Sequence, residues 1–224
     1  VRAKLERDFD GIIGYSLLKN YVTRIDYQNK RMSLYHSIEE LDTTGYKAIA
    51  FGMDNGVPIP QFDISITLNN GQTYTDKVFF DSGAALTLVV NTPFGKKHSL
   101  TKKAGKTLIF ETQNLDSRSV SEQIAINNMN IAGYDLGEMV IAVANDKKGV
   151  NSYKGYLGIL GAEVISRFDV ILDYTTSTLY IKPNAAYSEA FDFPLSGISL
   201  KKDDGHIVVR YVQKETQAYQ KGIK

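Results

Sequence analysis

Apolar residues at Phe62, Ile64, Ile66 and Leu68 fall on alternate positions and share one face, the two-residue period of a half-buried strand. Asn70-Gly71 follows at once and predicts a type I′ hairpin. Further strands are expected at Tyr74 to Phe80, Leu86 to Val90, Thr107 to Glu111, Gln123 to Ile126, Met139 to Val143, Val170 to Asp173 and Thr178 to Lys182. Each is bounded by Gly, Asn, Asp or Pro, the usual strand punctuation. Helix is scarce. One short helix is expected after Thr92-Pro93, with Thr as cap and Pro at the first helical position, and another around Ala162 to Arg167. The chain reads as mostly β.

An internal repeat organises the chain. Residues 11–27, GIIGYSLLKNYVTRIDY, recur at 158–174 as GILGAEVISRFDVILDY, an offset of 147 with no gap. Gly11, Ile12, Gly14, Asp26 and Tyr27 equal Gly158, Ile159, Gly161, Asp173 and Tyr174. Ile13/Leu160, Leu17/Val164, Leu18/Ile165, Tyr21/Phe168 and Ile25/Leu172 are apolar pairs. Each copy predicts a Gly-flanked apolar strand, a short helix, and a hairpin whose second strand is Met32 to Tyr35 or Leu179 to Lys182. A unit of this size cannot bury its apolar face alone, so two copies imply two domains.

Residues 1–35 are therefore expected to close a first lobe whose beginning is missing, so that the chain reads as an internal piece of a longer polypeptide. Residues 36–45, HSIEELDTTG, are the linker, and residues 46–184 form a complete second lobe. A third piece starts at 185, with a strand at Ile207 to Tyr211 and a helix at Glu215 to Ile223.

Composition narrows the chemistry. The 224 residues carry 26 Lys plus Arg against 25 Asp plus Glu, a net charge of +1, so no overall field draws in nucleic acid or an anionic membrane. With no cysteine, disulfides, thiol nucleophiles and most structural zinc sites are excluded. No apolar run approaches the roughly 18 residues a membrane helix requires, and residues 1–10 offer no signal peptide. His36, His98 and His206 lie in charged or turn-rich segments without metal-ligand spacing and read as exposed. Lys96, Lys97, Lys102, Lys103 and Lys106 form a basic stretch with no aromatic interleaved, which reads as a solvated face. No glycine-rich phosphate loop occurs.

The candidate chemistry is Asp81-Ser82-Gly83. It follows the apolar strand Val78-Phe79-Phe80 and puts a carboxylate in a tight turn where Gly83 lets backbone approach and Ser82 offers a hydroxyl. Alone, such a triplet is also an ordinary polar turn. Its company is more specific: the apolar-apolar-Gly run Ile159-Leu160-Gly161 follows about 80 residues later and is duplicated at Ile12-Ile13-Gly14.

In this order of motifs the chain resembles the pepsin and retropepsin superfamily of aspartic proteases, bacterial retropepsin-like proteins in particular, over roughly residues 8–184. The resemblance implies an acid-protease barrel lobe. It implies Asp81, Ser82 and Gly83 as one catalytic loop, supported by Ile159, Leu160 and Gly161, and hydrolysis of peptide bonds without cofactor or metal. Family members pair two such aspartates. This chain has one D-[ST]-G loop, so the second would come from the upstream homologous lobe, about 66 positions ahead of Val1 by the repeat offset, or from a partner chain. The chain alone is then expected to be inactive. The family's flap is often Gly-rich, whereas the candidate here, Phe110 to Glu122, lacks Gly. That leaves a catalytically inactive, protease-like peptide-binding module as the alternative. Residues from Phe193 onward resemble the start of a PDZ domain, the alternative being a strand-helix extension packed on the lobe. By the same resemblance the parent protein would be bacterial and periplasmic, envelope-bound or secreted.

Overall fold

In a computed structural model describing residues 11–105, 107–113, 118–192, 197–212 and 216–223, the alternating run lies within a strand, with Phe62, Ile64, Ile66 and Leu68 all buried. In chain order the strands are β1 (Val22–Asp26), β2 (Arg31–Tyr35), β3 (Lys47–Ala50), β4 (Gln61–Leu68), β5 (Thr73–Asp81), β6 (Leu88–Val90), β7 (Leu108–Gln113) and β8 (Arg118–Ile131). They continue with β9 (Tyr134–Asp135), β10 (Met139–Ala144), β11 (Gly158–Gly161), β12 (Phe168–Asp173), β13 (Thr178–Pro183), β14 (Ile198–Asp203) and β15 (His206–Val212). The helices are short: α1 (Tyr15–Leu18), α2 (Thr92–His98), α3 (Leu100–Ala104), α4 (Ala162–Ile165) and α5 (Gln217–Gln220). The mostly β lobe expected from the sequence is what forms.

Six strands close on themselves in the order β10, β6, β11, β5, β4, β8 and back to β10. Closure leaves no free edge inside the ring. A second sheet, ordered β2, β1, β12, β13, β3, covers one side, and Phe62, Phe80 and Ile131 of the barrel meet Val170, Leu179 and Ile181 of that sheet in one core. After β13 the chain stays on the lobe. The buried Arg167 guanidinium donates to the carbonyls of Ala186, Glu189 and Ala190 and lies 3.6 Å from the Phe191 ring centroid.

The second sheet contains both copies of the repeat, joined along a near-symmetric seam. β1 and β12 pair antiparallel with Thr23 opposite Leu172, Arg24 opposite Ile171 and Ile25 opposite Val170. At an offset of 147, Arg24 faces its own counterpart and Thr23 and Ile25 exchange theirs. A local two-fold axis therefore passes between Arg24 and Ile171. The hairpin turns obey it as well. Asp26 accepts the Asn29 backbone and side-chain N–H groups at 2.9 and 2.8 Å, and Asp173 accepts the Thr176 N–H and hydroxyl at 3.3 and 2.8 Å. Lys30 and Ser177, counterparts again, both adopt left-handed backbone (φ 52° and 50°). Burial pushes the phenols of Tyr27 and Tyr174 up alike, to about 12.

Some local expectations are corrected. The β4–β5 connection is not a two-residue type I′ turn: Gly71 N–H bonds the Leu68 carbonyl, and within residues 69–71 only Gly71 has positive φ, at 82°. Asn91, not Thr92, caps α2, because its Oδ1 accepts the Phe94 N–H at 2.8 Å, and Pro93 moves to the second helical position. The helix near residue 162 stops at Ile165. Gln123 to Ile126 is part of a 14-residue strand. Residues 11–14 are not a strand, since among the described residues no neighbouring strand supplies a ladder. In the tail, β14 and β15 pair only with each other among the described residues, and the expected helix is a single turn; Phe193 to Ser196 and Glu215 lie outside the described residues.

Asn91 is the polar keystone of the barrel's helical side. It is fully buried, and its Nδ2 donates to the carbonyls of Tyr153 and Tyr156 at 2.8 and 2.6 Å, tying the segment that leads into β11. Asn91→Ala removes a cap and leaves two carbonyls unpaired, which should lower stability by about 3 kcal/mol. Asn145→Ala, at an exposed position, should stay within about 0.5 kcal/mol. Urea denaturation of both variants checks this, and equal midpoints would contradict it.

Candidate active site

β5 ends in Val78-Phe79-Phe80-Asp81. Val78 and Phe80 enter the barrel core, while Phe79 is buried on the other face with its ring 4.4 Å from that of Tyr156. Tyr156 donates its hydroxyl to the Val150 carbonyl, and burial pushes that phenol up to about 12. The strand is thereby fixed on both faces up to the residue that carries the carboxylate.

At Asp81 the chain turns. The carboxylate Oδ1 accepts the Gly83 N–H at 3.0 Å, and Ala84 N–H bonds the Asp81 carbonyl at 3.3 Å, an Asx-type turn that sets the carboxylate's direction. Asp81 is partly exposed, and Ser82 and Gly83 are exposed. An added Cβ on Gly83 would lie 3.3 Å from Asp81 Oδ1.

The return arm is held by a strand inserted between it and β5. β11 runs parallel to β5, with Gly158 beside Val78 and Gly161 beside Asp81, and antiparallel to β6, with Gly158 opposite Val90 and Leu160 opposite Leu88. Backbone N–H groups of Gly161, Ala162 and Glu163 donate to the carbonyls of Thr87, Ala84 and Leu86 at 2.9, 2.8 and 3.1 Å. Thr87 Oγ1 donates to the Val140 carbonyl at 2.6 Å, anchoring the arm to β10.

Two glycines make the insertion possible. A Cβ at Gly161 would stand 2.8 Å from the Ala84 carbonyl oxygen and 2.6 Å from Leu86 Cδ1, and one at Gly158 would stand 2.9 Å from Val90 Cα. Real Cβ atoms do not come that close. Of the predicted support residues, Gly161 touches the loop directly, Leu160 is buried in the core and Ile159 is half-buried. Sequence reasoning missed Gly158, Thr87 and Asn91. Gly158 was marked by its identity with Gly11, but Thr87 and Asn91 carried no pattern that separates a buried polar anchor from a loop residue.

The flap candidate is more regular than its composition suggested. β7 and β8 pair as an antiparallel hairpin out to Gln113 opposite Arg118; residues 114–117, and the side chains of 110–120, lie outside the described residues. Of the three histidines, His36 and His206 are exposed as expected. His98 is not: its ring lies 4.8 Å from Tyr74 and 4.5 Å from Phe94, and burial beside Lys97 and Lys103 lowers its pKa. Lys96, Lys97, Lys102 and Lys103 are exposed on α2 and α3, with Lys103 also donating to the Tyr74 hydroxyl at 2.8 Å, and Lys106 lies outside the described residues. Among the described residues no group of three or more His, Asp or Glu is placed to hold a metal ion, and no helix is long and apolar enough to cross a membrane.

No protein family model matches the sequence, and no curated protein matches it significantly. Solved structures do resemble it. A retropepsin-like aspartic protease from Rickettsia conorii is similar at 19% identity over 61% of this chain and 89% of its own, with a TM-score of 0.38. An aspartic proteinase from Irpex lacteus is similar at 13% identity over 71% of this chain and 54% of its own, with a TM-score of 0.44.

The crowding at β11 separates two substitutions of the same kind. Gly161→Ala drives a methyl group into backbone and should cost about 3 kcal/mol or more. Gly83→Ala, with no positive φ and open space beyond the carboxylate, should cost less than about 1 kcal/mol. Thermal and urea unfolding measure both, and a harmless Gly161→Ala would contradict this packing.

Proposed function

We propose that the chain is the Asp81-bearing part of an aspartic endopeptidase. The observation that carries this reading is the half-exposed carboxylate of Asp81, aimed by the Gly83 N–H on a loop whose two arms are clamped by an inserted strand. A carboxylate fixed at a rigid, water-accessible edge is suited to proton transfer, because little reorganisation is needed when charge moves.

The chemistry needs a second carboxylate. Two aspartates about 3 Å apart cannot both ionise, so they share one proton. The ionised one takes a proton from a water, whose oxygen attacks the peptide carbonyl carbon, while the protonated one gives its proton to the carbonyl oxygen. Collapse of the tetrahedral species returns a proton to the leaving nitrogen and breaks the C–N bond. Asp81 supplies one carboxylate. The other is assigned to an equivalent loop on a homologous lobe ahead of residue 11, as the repeat suggests. The β7–β8 hairpin is assigned as the flap over a peptide substrate. The β14–β15 hairpin and the helical turn after it are read as the opening of a PDZ-like peptide-binding module, and the whole protein as an exported bacterial one, both on resemblance.

The test is cleavage of an unfolded protein substrate by the whole polypeptide. Asp81→Asn, folded as judged by thermal unfolding, should lose activity by about a thousandfold or more, and residues 1–224 alone should show no turnover. A folded Asp81→Asn variant that cleaves at the wild-type rate would overturn the reading and leave a peptide-binding module without catalysis.

A further inference from the structure

One face of the barrel carries a charge that the net value of +1 conceals. α2 and α3 present Lys96, Lys97, Lys102 and Lys103, all exposed, and the segment between β10 and β11 presents Lys147, Lys148 and Lys154, exposed as well. The fold brings the two segments together. α2 packs on the 3-10 turn Val150–Ser152, and the buried Asn91 that caps α2 donates to the carbonyls of Tyr153 and Tyr156. Residues 91–105 and 145–155 hold these seven lysines against one acid, Asp146, whereas the rest of residues 46–184 holds six basic residues against twelve acidic ones. A lobe of zero net charge is therefore strongly polarised.

Among the described residues the ion pairs are Arg24 with Asp169 and Lys77 with Asp54, and neither lies on this face. A second feature of the face is apolar. Val150 is 39% exposed and Tyr153 53%, both set between Lys148 and Lys154, and the Tyr156 hydroxyl on the Val150 carbonyl holds the turn that presents them. Exposed apolar and tyrosine side chains flanked by lysines suit a membrane–water boundary, where the ring sits at headgroup level and a lysine lays its stem on the apolar layer while its ammonium reaches the phosphates. All seven charges are lysines. They attract an anionic surface as point charges, without the planar fork by which arginine reads phosphate and base edges on a nucleic acid.

We infer that α2, α3 and residues 147–154 form a docking face for the headgroups of an anionic lipid bilayer, with Val150 and Tyr153 entering the interface. Each lysine brought to such a surface adds about fivefold to binding, and screening by salt removes that gain progressively because the charges are exposed. Asp81 is not part of this face. Lys103 donates to the hydroxyl of Tyr74, which precedes Asp81 by seven residues on β5, about 23 Å along the strand. The docking needs no catalysis and does not rest on the protease reading.

Co-sedimentation of residues 1–224 with lipid vesicles tests this. The chain should bind vesicles of phosphatidylcholine containing about one-third phosphatidylglycerol at low salt, leave them as salt rises, and not bind phosphatidylcholine alone. Lys96→Gln, Lys97→Gln, Lys147→Gln and Lys148→Gln combined should weaken that binding by about a hundredfold or more. Lys19→Gln, Lys30→Gln, Arg31→Gln and Lys221→Gln combined remove the same charge at exposed positions elsewhere and should weaken it by about threefold or less. Each variant is first shown to be folded by thermal unfolding. The chain has no tryptophan, so Tyr153→Trp is a single fluorescent reporter whose emission should move to shorter wavelength on the anionic vesicles and stay fixed on the neutral ones. Undiminished binding by the first combined variant, or equal losses in both, would overturn the docking face, and a Tyr153→Trp emission that never moves would overturn entry into the interface. Binding to a DNA duplex without binding to the vesicles would overturn the lipid assignment and make a nucleic acid the occupant.

Discussion

β11 lies between the two arms of the Asp81 loop, and there is room for it only because Gly158 and Gly161 carry no side chain. Much of the rest depends on that insertion. Gly161 and the two residues after it donate to the carbonyls of Thr87, Ala84 and Leu86 on the returning arm. The insertion completes the barrel between β5 and β6, and it stops the carboxylate from swinging away from its edge. A backbone ladder is a better clamp here than side chains, since it has no rotamers to lose.

In the second copy one strand passes between two arms of a loop, which leaves the Gly158-Ile159-Leu160-Gly161 run little freedom. The hairpin after each copy keeps its Asp-anchored turn and left-handed residue for a similar reason, because both hairpins meet across the seam and must present matching edges. Arg24 and Ile171, opposite each other at that seam, differ in polarity, as do Thr23 and its counterpart Val170. Arg24 has Asp169 at 4.0 Å, while Ile171 is buried.

Much of the fold was legible because period and punctuation report burial directly. The run from Phe62 to Leu68 alternates because one face meets the core, and the Asp81 turn announced itself by an apolar strand ending in Asp-Ser-Gly. What escaped was set by partners instead of patterns. β3 is short and mostly exposed, and only its backbone pairing with β13 makes it a strand. Residues 11–14 have strand composition but no strand to pair with among the described residues. Asn127-Asn128 breaks the alternation of β8 between Ile126 and Met129, where its pairing with β4 shifts register, yet Asn128 and Asn130 both donate to Asp135 and hold the β8–β9 corner. Asn91 looks like any loop asparagine until the carbonyls of Tyr153 and Tyr156 are found against its amide.

The central claim is that Asp81 is one of two symmetric halves of a catalytic site, and the most direct measurement is a crystal structure of the whole polypeptide. The account predicts a second aspartate with a carboxylate oxygen about 3 Å from one of Asp81, the two loops related by the axis through Arg24 and Ile171. A structure in which Asp81 faces open solvent, or in which the group nearest its carboxylate is not a second carboxylate, would contradict it.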